Sequence, residues 1–248
     1  ISPLLHKRKL FADVKNFRLY DFYSDHGGVN ENVFAYSNKA DGRKSLVIYN
    51  NKFDEASGWI RTSTAFAEKT GDGDSTTMRQ TQLGDDLELH DDGRYYCIFR
   101  DNITGLEYIR NSKELRNQGL YVELGAFKYH VFLEFREVED TSSGQYAELA
   151  EYLNGRGVPG IQEALREVTL QPIHYHAQSL INTEIYKQVV EMDKNERPDN
   201  LWESIRSRAA SFFNEIKRFT GARQEVEPVI DKTAASLKAV RRMTHPAD

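Results

Sequence analysis

The spacing of apolar residues changes once along this chain, and that change limits what it can build. Up to about residue 140 apolar side chains alternate with polar ones, and beyond that point they recur at helical spacing. Period two is the pattern of a half-buried strand; period 3.6 is that of an amphipathic helix. The stretches 17–23, 33–37, 45–50, 59–66, 87–90, 95–100, 120–124 and 129–138 are rich in aromatic and β-branched residues. Turn formers separate them, among them Gly27-Gly28, Asp41-Gly42, Asp92-Gly93 and Gly119. Short strands spaced this closely predict an antiparallel β-sandwich with Greek-key-like connections.

The alternation assigns faces. Leu120, Val122 and Leu124 point one way, with Tyr121 and Glu123 opposite. Tyr129, Val131, Leu133 and Phe135 share one face, with His130, Phe132, Glu134 and Arg136 on the other. Asp92-Gly93 predicts a hairpin between 87–90 and 95–100. Past Ser142, Tyr146, Leu149 and Leu153 mark a first helix, and Gly155, Gly157 and Pro159-Gly160 divide it from a second at 161–168. Pro172 is expected to interrupt again, with another helix inside 177–192. The clearest stripe is Leu201, Ile205, Ala209, Phe212, Ile216 and Phe219, with Asp199 or Asn200 as N-cap and Gly221 as stop. A last helix is expected near 228–243. The fold class expected is therefore α+β by segments, a β-sandwich followed by an α-helical region.

Composition excludes several function classes. With 248 residues, 39% of them hydrophobic and 29% charged, the chain suits a globular protein. A net charge of -5 leaves no footprint for nucleic acid. No apolar run approaches the ~20 residues of a membrane span. Cys97 is the single cysteine, so neither an intrachain disulfide nor a thiolate metal site can form. It lies in an apolar strand and reads as a buried thiol. A reducing compartment such as the cytoplasm fits, and so does a disulfide-free exported protein. The first residue is Ile1, and the chain reads as a processed or excised piece.

Motifs for chemistry are sparse. Gly71-Asp72-Gly73-Asp74-Ser75 lacks the alternate donors and closing Glu of a calcium loop and reads as a hairpin tip. His174 and His176 diverge on a helix and have no third ligand. There is no nucleophile elbow, phosphate loop or dinucleotide fingerprint. No catalytic residue, metal or cofactor is expected. Trp59, Tyr36, Tyr49 and Tyr108 are the candidate carbohydrate-stacking residues, because the apolar face of a sugar ring favours an aromatic platform; each is also an ordinary core residue type.

Seven segments together resemble the end of an alpha-amylase family glycoside hydrolase. They are Pro3-Leu4-Leu5-His6-Lys7-Arg8, Phe17-Arg18-Leu19-Tyr20-Asp21-Phe22, Asn32-Val33-Phe34-Ala35-Tyr36-Ser37-Asn38 and Ser45-Leu46-Val47-Ile48-Tyr49-Asn50-Asn51, then Gly58-Trp59-Ile60-Arg61-Thr62-Ser63, Gly119-Leu120-Tyr121-Val122-Glu123-Leu124 and Tyr129-His130-Val131-Phe132-Leu133. In that family an antiparallel β-domain follows a catalytic (β/α)8 barrel. The resemblance covers a little over half the chain. It implies that residues 1–16 leave the barrel's last helix, that 17–140 form the β-domain and that 141–248 are a helical extension. It implies an accessory role on a barrel acting on α-glucans. A carbohydrate-binding module and a helical protein-interaction module are the alternatives. The family's catalytic carboxylates belong to the barrel, which needs ~250 residues of its own, so no catalytic residue carries over.

Overall fold

The computed structural model describes residues 10–11, 14–69, 76–142, 144–191 and 199–244. The chain divides into two compact units, Ile1–Leu165 and Arg166–Asp248.

The first unit is an antiparallel β-sandwich, or half-barrel, made from one curled eight-stranded sheet. Its strands are β1 (Arg18–Ser24), β2 (Val33–Ala40), β3 (Arg43–Asn50), β4 (Ala56–Ser63), β7 (Tyr95–Asp101), β8 (Glu107–Asn111), β9 (Leu120–Leu124) and β10 (Tyr129–Glu139). Their spatial order is β8-β7-β10-β3-β2-β1-β4-β9. Every pairing is antiparallel, and β10 enters between β7 and β3, while β9 crosses to pair with β4. A separate hairpin pairs β5 (Phe66–Lys69) with β6 (Thr76–Arg79). The Gly71 to Ser75 run lies outside the described residues.

Alternation produces the core. Tyr20 and Phe22 of β1, Val33 and Ala35 of β2, Leu46 and Ile48 of β3, Ile60 of β4 and Leu120, Val122 and Leu124 of β9 all turn inward and are buried together. Gly58 is required where β4 meets β1, because a Cβ there would run into the Tyr23 carbonyl oxygen. Burial of this many large apolar side chains is the main stabilising contribution to the unit.

Three sequence expectations need correction. Residues 87–90 are not a strand. They follow the short helix α1 (Leu83–Asp86), and Leu87 and Leu89 plug into the core from above the sheet. Their spacing of two therefore imitates a strand without any ladder, and Asp92-Gly93 is no hairpin turn. The face assigned to Phe135 is also reversed. The β10–β7 register shifts between Leu133 and Arg136, with Glu134 at φ 58°, and Phe135 joins Phe132 on the inner side. A bulge inserts one residue and flips every side chain beyond it. Pro172, finally, lies inside a helix rather than ending one. That helix, α4 (Ile161–Leu180), gives up one backbone bond at the proline and continues. Good helix formers on both sides, such as Ala164, Leu165, Ala177 and Gln178, favour its continuing.

Buried carboxylates tie the elements of this unit together. Asp101 accepts from the Ile103 and Val131 amides, from the Thr104 hydroxyl and from His130. Glu107 receives Arg100 and Arg136 at 2.9 Å each and the Ile161 amide at 2.8 Å, so it caps the start of α4 from β8. Asn111 caps α2 (Ser112–Gln118), and Asp140 accepts from the amides opening α3 (Gln145–Leu153).

The second unit contains α5 (Thr183–Glu191), α6 (Asp199–Thr220) and α7 (Glu227–Thr244). Its core is Leu180, Ile185, Val189, Ile205, Ala209 and Ile230. The expected stripe thus faces the unit's own interior for Ile205 and Ala209, whereas Phe219 is exposed. Gly221 takes a positive φ of 65° and ends α6, as a glycine stop should. Among the described residues no helix is long and apolar enough to cross a membrane.

Candidate functional site

The outer face of the sheet is unusually apolar. Phe17, Leu19, Phe34 and Tyr129 keep 38–45% of their surface exposed. Register brings them together. Leu19 lies opposite Tyr36, Tyr36 opposite Val47, and Val47 opposite Val131. One step along, Phe34 faces Tyr49, and Tyr49 faces Tyr129. Two of the four predicted aromatics, Tyr36 and Tyr49, therefore belong to one continuous patch over β1, β2, β3 and β10. The Tyr36 ring packs on Phe17 at 5.5 Å between centroids, and burial raises its hydroxyl pKa. At one end the patch is already covered, by Leu10 and Phe11 packed on Val131, Leu133, Ala40 and Val47.

Trp59 stands apart, on β4. Its cross-strand neighbours are Tyr23 on β1 and Tyr121 on β9. The Trp59 and Tyr121 rings lie 5.2 Å apart, and the Tyr121 hydroxyl donates to Asp25 at 2.9 Å. That bond, after one to Ser57, holds the Asp25 carboxyl below its ordinary value. Beside this cluster opens a pocket of about 500 Å³ lined by Tyr23, Trp59, Arg61, Thr62, Asn117 and Gln118. Aromatic faces with amide, guanidinium and hydroxyl groups around them suit a neutral polyhydroxylated ligand: rings cover the apolar face of a sugar, and the planar polar groups exchange hydrogen bonds with its hydroxyls.

Tyr108 is not part of either surface. It lies on the inner side, 5.7 Å from the Phe99 ring and edge-on to Phe132 at 5.6 Å. Residue type alone did not single out Arg61, Asn117 or Gln118, because the helix α2 that carries the last two is brought beside Trp59 by tertiary packing that no local pattern announces. Alternation had set Tyr121 on the face opposite Leu120, Val122 and Leu124, and the β4–β9 pairing is what brings it beside Trp59.

Among the described residues no three of His, Cys, Asp and Glu could hold a metal. The Asp101–His130 pair, at 3.0 Å, resembles part of a hydrolytic triad, but no hydroxyl or thiol bonds to His130. His174 and His176 sit on α4, with no third ligand among the described residues. No protein-family model, curated protein or solved structure matches this chain.

Proposed function

We propose that this chain is a non-catalytic accessory region of an alpha-amylase-like enzyme acting on α-glucans, and that its sheet unit packs on the catalytic barrel. The observation that carries the reading is the exposed apolar patch of Phe17, Leu19, Phe34 and Tyr129 with Leu10 and Phe11 seated at its end. A contiguous apolar surface of this kind is what a second domain covers. Leu10 and Phe11 cover that end, so a barrel joined ahead of Leu10 would be delivered to the rest of the patch. The resemblance in the strand segments names the kind of barrel.

The test is to express the coding region upstream of Ile1 beside this chain and follow both by size-exclusion chromatography. Co-elution is expected, together with its loss when Phe17, Phe34 and Tyr129 are all changed to Ser and the β-sheet circular dichroism is unchanged. An upstream region without a carboxylate-bearing barrel, or a barrel that elutes alone, would refute the proposal. A second reading, carbohydrate binding by the module itself, is favoured by the Trp59 pocket. The two are compatible, because that pocket lies among β1, β4 and α2, away from the β3 and β10 side of the patch.

A further inference from the structure

The two edge strands of the curled sheet, β8 and β9, border one cavity of about 480 Å³ on the inner side. Tyr108 and Phe132 form one wall, Leu120 and Val122 another, and the Asn154–Gly155–Arg156–Gly157 turn a third. Gly157 sets the last wall, since a Cβ there would come within 2.7 Å of the Tyr108 ring. A second space, of about 540 Å³ and bordered by α3, shares Arg110 with the first.

Arg110 is half-buried, unlike Arg43, Arg61 and Arg156, which are exposed and likewise pair with no carboxylate among the described residues. Arg18, Arg79, Arg94, Arg100, Arg116 and Arg136 in the same unit each pair with a carboxylate. Among the described residues Arg110 donates to two backbone carbonyls, Ile109 at 2.8 Å and Gly155 at 2.9 Å, and lies over the Tyr108 ring at 5.9 Å from its centroid, with no carboxylate partner. Burial pulls its pKa below the ordinary arginine value, yet a guanidinium stays charged at neutral pH. A guanidinium has five N–H donors, so three remain after those two bonds. An enclosed cation without a counter-charge is costly, and folded proteins normally pair it. Here it is fixed in place by carbonyls, with donors to spare at the edge of an open space.

The surrounding charges decide which anion fits. His130 also borders the cavity, and its Nδ1 lies 3.0 Å from the buried Asp101 carboxylate, which occupies that side of the ring. Arg156 donates to the Leu153 and Tyr152 carbonyls at the end of α3. Glu123, exposed on β9, has no ion-pair partner among the described residues. The lining therefore carries the guanidiniums of Arg110 and Arg156 and the exposed carboxylate of Glu123, and Arg110 is the group with a fork to offer a carboxylate. Aromatic and aliphatic walls call for an apolar body on the ligand.

We propose that this cavity binds a small monocarboxylate with an aromatic or aliphatic body, its carboxylate forked on Arg110 and its body against Tyr108, Phe132 and Val122. The proposal is independent of any docking on a barrel.

The experiment is a titration of the full chain with benzoate, its neutral isostere benzamide and inorganic phosphate, read by chemical-shift changes and calorimetry. Benzoate is expected to saturate with a Kd on the order of 1 mM, with benzamide and phosphate about tenfold weaker or worse. Arg110→Lys keeps the charge and loses the fork, and should weaken benzoate about tenfold. Glu123→Gln, at an exposed position, should tighten benzoate about twofold by removing a like charge. This second variant keeps the idea testable where Arg110→Lys fails to fold. Benzamide binding as well as benzoate, phosphate binding better, no saturation by benzoate, or an affinity indifferent to Glu123→Gln would each overturn the proposal.

Discussion

Glu107→Gln isolates what one buried carboxylate contributes to the sheet unit. The Glu107 side chain is only 6% exposed, and its two oxygens serve three donors: Arg100, Arg136 and the Ile161 amide. Glutamine keeps the shape but only one acceptor oxygen. With that oxygen toward the guanidiniums, its NH2 confronts the Ile161 N–H; flipped, it confronts two cations. Losing one buried acceptor costs about 1–2 kcal/mol, and removing charge from the remaining bonds adds about 1 kcal/mol. Arg100 and Arg136 are 36% and 42% exposed, so water replaces part of the loss, and Arg100 also has Glu134. The expected total is about 2 kcal/mol near neutral pH. Burial pushes the Glu107 pKa up, but the Ile161 amide and the Arg136 and Arg100 charges outweigh it and the net direction is down. A depressed folded pKa gives stability that is complete above the unfolded value, about 4.5, and is lost as pH falls through the folded value. The gap between wild type and variant should therefore be constant from about pH 6 to 8 and close in acid, where Glu107 is protonated. Urea unfolding followed by the β-sheet circular-dichroism signal measures it. A gap below about 0.5 kcal/mol at neutral pH, or one that persists unchanged in acid, would refute this account of the carboxylate.

Two further outcomes follow from the core and the outer pocket. Burial, and secondarily the Glu137 charge, push the Cys97 thiol up to about 12, so a disulfide reagent should leave the native chain unmodified and label it fully in denaturant; rapid labelling of the native chain would contradict the packing. Maltoheptaose should quench tryptophan fluorescence saturably with a Kd on the order of 0.1–1 mM, and Trp59→Ala should abolish the effect while leaving the melting temperature within about 2 °C, since Trp59 is 36% exposed; quenching that survives the change removes the Trp59 pocket as a sugar site.

Alternation made β1, β2, β4 and β9 legible, because their side chains alternate between more and less exposed, whereas β7, buried at every position from Tyr96 to Phe99, stood out by its run of apolar and aromatic residues. Alternation failed where that contrast fails. In β8 the sequence Glu107-Tyr108-Ile109-Arg110-Asn111 reads as solvated, yet Glu107 is buried as a cap for α4 and Arg110 borders an inner cavity. Leu87 and Leu89 show the reverse error: two leucines spaced by two were a plug, not a strand. The bulge at Glu134 left no local mark, since no glycine or asparagine announces its positive φ, which coincides with the shift in the pairing of β10 with β7.

The site follows the same logic one level up. Tyr36, Tyr49 and Trp59 could be nominated from type alone, but which of them share a surface depends on strand order. Tyr36 and Tyr49 are neighbours because β2 and β3 form a hairpin, a local event. Trp59 meets Tyr121 only through a pairing 62 residues apart in sequence, which residue type cannot announce. Tyr108, of the same chemical type, faces inward because β8 follows β7 around the curl, with Tyr108 opposite Phe99. The order that separates these four aromatics also leaves β8 and β9 as open edges bordering a common cavity. An edge strand that neither pairs nor carries the usual protective charges needs some other cover. On β8 part of that cover is the Glu107–Val158 bridge, which brings the Asn154 to Gly157 turn against Tyr108 and Arg110. The β9 edge has no such strand beside it among the described residues, so the sheet stays open there, beside the cavity that Arg110 also lines.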